Sequence, residues 1–524
     1  MISAAEPVTA VPPAASAASV FSADRFVANV SGDALLHGDA AALYLAGAVA
    51  FAVLLAGAAA ALFLLRGPRI ANVPSWPKRV ASHDDAVSAH EALGDMFYAT
   101  GFDGKPCVFV RGQHATKVLT EMGFGDGKWS GLDTAAGAAA FVVPSNLVQP
   151  MAVPTFFHDA GATWKNARAA LRRLFVPTEA SASFTVEATD RAVDMTAPRG
   201  ASAAEVDAQS LAHIAFRDTM MSIGLGRSAA EVPGVERQFE ALESASGKWR
   251  ADSTMDHAHT ASPAVESASA GALAACASAV LGTIEAAREG DERAAGSMAA
   301  LLRSALPEYT GTGTDEGAEE TARTVFNLIV AGAESNAIST AKTVAAIAEN
   351  PKLVAELQAE VDAAVGAEGV ISHETMKASK VPLLEACVRE GLRMFVPATA
   401  AQRVCEKETV LGPATIPAGT TMCVCIHALH MDSSVWSNPA TFDHTRFLGG
   451  KKLSRPRHAY LPFSCGPRKC PGEAVAVQQA RVLIATLLRS YTLRSAEAVP
   501  RSHVAGFTEW TDGGVSVGLV PRSA

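Results

Sequence analysis

Residues 463–472 have the sequence FSCGPRKCPG and constrain the fold more strongly than any other stretch of the chain. Gly466 and Gly472 permit positive φ angles and close approach of a flat ligand, and two prolines fix the path of the backbone. An apolar, helix-forming run from 474 to 488 follows directly. Because a helix N-terminus carries partial positive charge and free N–H groups, Cys470 is expected to be stabilised there as a thiolate. The pattern predicts a rigid loop that holds one sulfur atom at the start of a helix; a turn around an inert, buried cysteine is the alternative.

The longest helical pattern runs from Thr314 to Glu349. At 1.5 Å per residue, this rod would be on the order of 50 Å long, enough to cross a whole domain. Residues 331–335, with the sequence AGAES, interrupt it with small residues that are followed by Glu334 and Ser335. This notch predicts either a tight helix crossing or a place where the helix passes over a cofactor, with a carboxylate and a hydroxyl available to handle protons.

Two further patterns place charged or polar pairs on helices. Trp164 and Arg168 are four residues apart, share a helical face and would suit an anionic carboxylate. Glu390 and Arg393 are three residues apart on a helical segment from 383 to 395 and predict an ion pair. Both spacings also occur on ordinary core or solvent-exposed helices, so that neither identifies a site by itself.

The first 80 residues divide into three segments of different character. Residues 1–39 are rich in Ala, Ser and Pro and predict a disordered tail, whose acidic residues disfavour an organellar transit peptide. Residues 40–65 carry no charge, and as a helix they would reach about 39 Å, enough to cross a hydrocarbon core of ~30 Å. Residues 66–80 form a Pro-rich linker with basic but no acidic side chains. The positive-inside rule therefore predicts a lumenal tail, an anchor helix and a cytosolic body at 81–524.

Net charge and cysteine usage exclude some classes of function. A formal net charge of −9 argues against a nucleic-acid-binding body. The eight cysteines lack the regular spacing of a secreted disulfide scaffold and indicate a reducing compartment. Cys423 and Cys425 lie on one face of a predicted strand, where small core residues are more common than metal ligands.

The complete spacing Phe-x-x-Gly-x-Arg-x-Cys-x-Gly at 463–472 resembles the haem-binding loop of the cytochrome P-450 family. The other patterns follow in that family's order across residues 164–472, including a segment at 442–447 that supplies a second arginine. One position departs from the family, because Ser335 stands where threonine is usual. The resemblance implies a mainly helical, triangular domain with small sheets, in which a long central helix passes over haem b, behind one N-terminal transmembrane helix.

The resemblance also implies roles for individual residues. The catalytic pair that would relay protons is Glu334 and Ser335. The positions that match cofactor-binding residues are Cys470, which would be the metal ligand, Phe463, which would shield its sulfur, Gly466, Arg468, Gly472, Arg403, Trp164 and Arg168. The charged cluster that would fix the loop is Glu390, Arg393 and Arg446. Because serine lacks the methyl group that restrains a threonine rotamer, oxygen use is expected to be coupled less tightly to product formation.

The implied function is a membrane-anchored haem-thiolate monooxygenase that activates O2 and hydroxylates an apolar organic substrate. Electrons would come from NADPH through a reductase, which would meet a basic helix at Lys165, Arg172 and Arg173. The implied location is a single-pass protein of the endoplasmic reticulum, with the plastid envelope as the alternative. Two other classes stay open: a haem-thiolate isomerase or dehydratase that acts on a peroxide without a reductase, and a non-enzymatic membrane haem sensor. The intact Glu334-Ser335 pair favours the monooxygenase.

Overall fold

The computed structural model describes residues 70, 72–80, 83–101, 106–120, 129–130, 168–169, 171–172, 175–197, 204–252, 263–305, 315–366, 369–405, 408–449, 455–496, 503–504, 509–511 and 514–522. These residues belong to one unit, Ile70–Ala524, and form mainly helices with small sheets, which confirms the predicted fold class. The helices are α1 (His83–Leu93), α2 (Gly112–Thr120), α3 (Glu179–Thr196), α4 (Ala208–Leu225), α5 (Pro233–Asp252), α6 (Pro263–Arg288), α7 (Glu292–Ala295), α8 (Met298–Ala305), α9 (Asp315–Ala348), α10 (Pro351–Val365), α11 (Pro382–Met394), α12 (Ile426–His430) and α13 (Glu473–Ser490). The strands are β1 (Ser75–Arg79), β2 (Met96–Thr100), β3 (Pro106–Val110), β4 (Trp129–Ser130), β5 (Ala204–Asp207), β6 (Ala400–Cys405), β7 (Thr409–Leu411), β8 (Ala414–Ile416), β9 (Thr421–Cys425), β10 (Tyr491–Ser495), β11 (His503–Val504), β12 (Glu509–Trp510) and β13 (Ser516–Pro521).

Helix α9 is the longest of the described helices, with 34 residues, and confirms the rod predicted at 314–349. It packs most extensively against α4. A Cβ atom at Gly224 would lie 3.1 Å from Cγ1 of Val325, and one at Gly332 would lie 2.9 Å from Sδ of Met220. The absence of side chains at these glycines therefore lets the two helices approach closely. Where α9 faces α4, the notch at 331–335 is therefore a tight helix crossing, one of the two alternatives that the sequence predicted.

The largest sheet has the strand order β1-β2-β3-β9-β6-β4. Strand β9 lies parallel to β3 and antiparallel to β6. Cys423 and Cys425 of β9 are buried in the same hydrophobic layer as Phe97 and Phe109. They are therefore small core residues, as their position on one face of a predicted strand indicated. Strand β1 pairs in parallel with β2, although it lies within the predicted linker at 66–80. The folded body thus begins N-terminal to the boundary expected at residue 81.

The predicted tail at 1–39 and the predicted anchor at 40–65 lie outside the described residues. Within the described part of the chain, α6 has the length and apolar composition that would let a helix cross a membrane. In its most apolar window, 33% of the residues are buried, and core helices of soluble proteins meet the same criterion. Length and composition alone therefore do not place α6 in a membrane.

Candidate functional site

Two backbone hydrogen bonds fold the loop at 463–472 back on itself. The N–H of Cys470 donates to the carbonyl oxygen of Phe463 at 3.0 Å, and the N–H of Lys469 donates to that of Gly466 at 3.1 Å. Helix α13 begins three residues after Cys470. The loop therefore places the cysteine sulfur beside the N-terminal end of α13.

The two loop glycines differ in conformation. Gly466 has a φ of +75°, and a Cβ atom there would lie 2.2 Å from the carbonyl oxygen of Leu119 at the end of α2. A larger residue would prevent this close approach between the loop and α2. Gly472 has a φ of −85° and does not use the positive φ that glycine permits. Ser464 takes a left-handed conformation instead, with a φ of 61°.

The Cys470 side chain is exposed. Burial by the protein around it nevertheless raises the pKa of the thiol, while the Gly472 N–H and the Arg168 guanidinium act in the opposite direction. The helix start thus acts in the expected direction, because the Gly472 N–H lowers the thiol pKa, but burial outweighs it in the protein alone. A metal ion deprotonates a coordinating thiol, so bound iron would add its positive charge to those of Arg168 and Lys469, which already lower the pKa.

The predicted propionate ligands approach the loop from different elements. Arg168 is buried, its Nη2 donates to the carbonyl oxygen of Lys469, and its buried Nε has no hydrogen-bond partner. Arg403 in β6 is also buried, and its Nη1 donates to the preceding residue's carbonyl oxygen at 2.7 Å. Arg468 is half-buried within the loop. Trp164 lies outside the described residues.

The notch in α9 has an open side and a packed side. Ala331 is exposed, Ser335 is half-buried and Glu334 is buried. The Ser335 hydroxyl donates to the carbonyl oxygen of Ala331 at 2.7 Å. Residues four apart in a helix share a face, so Ala331 and Ser335 lie on the open side. Gly332 lies on the other side, against Met220.

Helix α9 contacts α13 immediately beyond the loop. The side-chain amide of Asn336, which follows Ser335, donates to the carbonyl oxygen of Ala476 at 3.3 Å and to Oε1 of Gln479 at 3.1 Å. These bonds connect the helix that carries the notch to the helix that follows Cys470.

The structure brings Glu390, Arg393 and Arg446 together in one buried charged cluster. Arg393 Nη2 and Nε donate to the two carboxylate oxygens of Glu390 at 2.7 and 2.8 Å, and both side chains are fully buried. Arg446 Nε donates to Glu390 Oε1 at 3.3 Å. Removing one partner of such a pair leaves an uncompensated buried charge, so the cluster fixes α11 relative to the segment that carries Arg446.

The residues that join this cluster to the loop were not identified from the sequence. The ring nitrogens of His430 lie 2.9 Å from the carbonyl oxygen of Arg393 and 2.9 Å from the backbone nitrogen of Leu461. The ring stacks on Tyr460, whose hydroxyl donates to the carbonyl oxygen of Arg389 at 3.0 Å. Because the hydrogen-bond partners of His430 are 37 and 31 positions away, no local pattern distinguishes it from an ordinary core histidine.

The donors at this site fit haem better than a bare metal ion. Among the residues that the structure describes, no group of three or more His, Cys, Asp or Glu side chains could hold a metal ion. A single sulfur ligand from Cys470 suits a metal whose remaining ligands come with a cofactor. The exposed Ala331 leaves room for a flat ring, and the unpartnered Nε of Arg168 can donate to a propionate.

Comparison with known families matches the cytochrome P450 family model to residues 143–505. The cyclooctat-9-en-7-ol 5-monooxygenase of Streptomyces melanosporofaciens is 32% identical over 200 residues, which are 38% of this chain and 42% of the relative. The cytokinin hydroxylase of Arabidopsis thaliana is 30% identical over 191 residues, 36% of each chain. Cytochrome P450 3A11 of Mus musculus is 30% identical over 176 residues, 34% of each chain. Each alignment spans less than half of the relative's length.

The fold is similar to the crystal structure of the cytochrome P450DA heme domain, with a TM-score of 0.68. That match covers 87% of this chain and 98% of the solved chain, at 16% sequence identity. At this identity, the likeness concerns the fold. The segment that matches the family model, 143–505, contains every residue that the sequence singled out for the site.

Proposed function

The chain belongs to the cytochrome P450 family, and from that premise we propose that it is a membrane-anchored haem-thiolate monooxygenase. The observation that carries the proposal is Cys470, an exposed residue held by a hydrogen-bonded loop at the start of α13. Haem b is the cofactor of this family and fold. Cys470 would bind its iron, and Arg168, Arg403 and Arg468 would bind its propionates.

When bound, thiolate-ligated haem supplies the activation of dioxygen and the insertion of one oxygen atom into a substrate C–H bond. The sulfur of Cys470 would donate electron density to the iron. Phe463 is half-buried and packs against the main hydrophobic core, where it would keep water from the sulfur. The Gly472 N–H, which is hydrogen-bonded to the sulfur, would withdraw part of that density and so tune the potential.

Glu334 and Ser335 would handle the protons that the reaction consumes. The Ser335 hydroxyl donates to its own helix, which leaves its oxygen able to accept a hydrogen bond from the open side. Glu334 is the adjacent residue and is buried, so it would exchange protons between the protein interior and the site. Serine keeps the hydroxyl but lacks the methyl group that restrains threonine. We therefore expect a larger fraction of the consumed oxygen to be lost as peroxide than with threonine at this position.

The proposed substrates are an apolar organic molecule and O2, with electrons from NADPH through a reductase. The printed names of two relatives, a cyclooctat-9-en-7-ol monooxygenase and a cytokinin hydroxylase, support oxidation of small organic molecules. Arg172 is exposed and would contribute to a basic face for an acidic reductase. Lys165 and Arg173, which were assigned to the same face, lie outside the described residues.

We also propose that residues 40–65 anchor the protein in the endoplasmic reticulum, with residues 1–39 in the lumen and the catalytic domain in the cytosol. Support comes from the uncharged 26-residue run and the basic residues that follow it. Alkaline carbonate extraction of cell membranes is expected to leave the full chain in the pellet. Release into the supernatant would contradict the anchor, and recovery with plastid membranes would contradict the location.

Spectroscopy of the Cys470→Ala variant tests the proposed chemistry. The wild-type protein, reduced and exposed to CO, is expected to show a Soret band shifted to long wavelength, and Cys470→Ala is expected to lack it. A wild-type protein without this band would refute thiolate ligation. Product formation is expected to require NADPH and a reductase. Turnover of a hydroperoxide without a reductase would favour the isomerase or dehydratase, and ligand binding without any turnover would favour the sensor.

A further inference from the structure

We propose that His430 is a positioning residue for the cysteine loop, because its imidazole connects the Glu390–Arg393 pair to the backbone that leads into Cys470. The inference rests on the proposed role of Cys470 as the iron ligand. It assigns to His430 no contact with substrate or cofactor. Its effect is on the position of the sulfur.

The hydrogen bonds of His430 define its protonation. The backbone N–H of Leu461 donates to Nε2 at 2.9 Å, so Nε2 carries no proton. Nδ1 then carries the proton and donates to the carbonyl oxygen of Arg393 at 2.9 Å. Both ring nitrogens are thus used in one tautomer, and the ring acts as a spacer of fixed length between α11 and residue 461.

The spacer is held firmly at the α11 side. The ring is fully buried, and Arg393 Nη1 donates to the carbonyl oxygen of His430 at 2.9 Å, which makes the connection between these two residues reciprocal. The same guanidinium is bound to the carboxylate of Glu390. The ring also stacks on Tyr460, with 5.4 Å between centroids, and the Tyr460 hydroxyl donates to the carbonyl oxygen of Arg389. Two consecutive residues before the loop are therefore attached to α11.

Backbone hydrogen bonds carry this constraint from Leu461 to Cys470. The carbonyl oxygen of Leu461 accepts from the N–H of Ser464 at 2.9 Å, and that of Phe463 accepts from the N–H of Cys470 at 3.0 Å. A displacement of Leu461 would therefore move the turn that holds the sulfur. The charged cluster would act on the loop through His430 as well as through overall packing.

The protonation of His430 is constant over the physiological range. Burial, with help from the nearby charges of Arg393 and His427, lowers the pKa of His430 to about 3. The ring consequently stays neutral and keeps Nε2 as an acceptor at any pH where the protein would work.

Three variants separate the loop contact from general packing. His430→Asn places an amide nitrogen near the position of Nδ1 but offers no acceptor to Leu461. His430→Gln is longer, and its Oε1 can reach the position of Nε2. His90→Asn is the matched control: His90 is also fully buried and its Nδ1 lies 2.9 Å from the carbonyl oxygen of Gly94, and its described hydrogen-bond and ring contacts are with Gly94 and Phe97. If His430→Asn does not fold, His430→Phe keeps the stacked ring and also removes the bond to Leu461.

Two measurements report on the proposal. Hydrogen exchange at the Leu461 amide is expected to be about tenfold faster in His430→Asn, the factor for loss of one buried hydrogen bond, and near wild type in His430→Gln and His90→Asn. The fraction of the reduced CO complex with the long-wavelength Soret band is expected to fall only in His430→Asn. Unchanged exchange and an unchanged band in His430→Asn would overturn the proposal, as would equal losses in His430→Gln or His90→Asn. Absence of the band from wild type would instead refute the iron ligand, and Leu461 exchange would still test the connection.

Discussion

At the scale of single residues, a very close contact joins α11 to α9. A Cβ atom placed on Gly391 would lie 1.8 Å from Oγ1 of Thr343. The Thr343 hydroxyl donates to the carbonyl oxygen of Ser339 at 2.7 Å, which fixes its rotamer. Gly391 is the neighbour of Glu390, so this contact also fixes the distance between the charged cluster and α9. Glycine here is a packing requirement, although glycine usually weakens a helix.

Gly391→Ala is therefore expected to lower the free energy of unfolding by about 2 kcal/mol, the usual cost of overpacking. Urea unfolding at neutral pH measures it. Gly282→Ala in α6 is the matched control, because a Cβ there meets nothing within 4 Å, and it is expected to gain up to about 1 kcal/mol. Adding Thr343→Ala to Gly391→Ala should recover much of the loss. A stability gain in both single variants would show that the contact relaxes without cost.

At the scale of elements, α11 depends on its neighbour α10 for its N-terminal cap. Val381 precedes α11 and makes no side-chain capping bond, and Pro382 has no N–H to satisfy. The next two amides, of Leu383 and Leu384, donate to the two carboxylate oxygens of Glu360 in α10 at 2.7 and 2.9 Å. A side chain 23 residues away thus replaces the usual local cap and fixes the start of the helix that carries Glu390 and Arg393.

Glu360→Ala is expected to destabilise the protein by about 1–2 kcal/mol, because it leaves two helix N–H groups without an acceptor. Glu356→Ala on the same helix is the control. Glu356 is 49% exposed and pairs with Lys352 at 3.6 Å, so its loss should change stability by no more than about 0.5 kcal/mol. Chemical denaturation of the two variants side by side checks the difference. Equal effects would mean that water caps α11 as well as Glu360 does.

At the scale of the whole molecule, the sequence predicts what depends on local pattern. Composition and periodicity predict the rod at 314–349, the strand that carries Cys423 and Cys425, and the helix after the cysteine loop. Glu390 and Arg393 share a helix, so their ion pair follows from spacing. The hydrogen bond that Leu461 donates to His430 joins residues far apart in sequence, and no pattern in either segment predicts that the two come into contact.

Two expectations differ from the structure because long-range contacts also contribute. The helix start favours a Cys470 thiolate, but the pKa of this thiol also depends on burial by segments that the sequence does not place beside it. The start of the body at residue 81 was set by proline content, whereas β1 is held by pairing with β2. In the first case burial outweighs the effect of the helix start, and in the second case pairing with β2 outweighs the effect of the prolines.

Two fully buried histidines on different elements link the stability of the whole fold to pH. Burial lowers the pKa of His90, in α1, to about 4 and that of His430, in α12, to about 3. The unfolded chain binds these protons near the ordinary value of about 6.5. The folded state is therefore favoured fully above that value, and stability falls as the pH drops from there towards the lowered pKa values. The loss is about 1.4 kcal/mol per pH unit for each histidine.

His90→Phe removes one of these two protons and keeps an aromatic ring beside Phe97, which His90 contacts edge-on with 4.7 Å between centroids. At pH 8, residue 90 is neutral in the folded and in the unfolded chain, so urea unfolding there gives the pH-independent effect of the substitution, which includes loss of the bond to Gly94. Between pH 6 and pH 5, the variant is expected to lose stability less steeply than wild type, by about 1.4 kcal/mol per pH unit. The difference between variant and wild type cancels every other titrating group that the substitution leaves unchanged. A constant difference from pH 8 to pH 5 would mean that His90 takes up a proton in the folded protein as readily as in the unfolded chain, and that its burial does not contribute to acid unfolding.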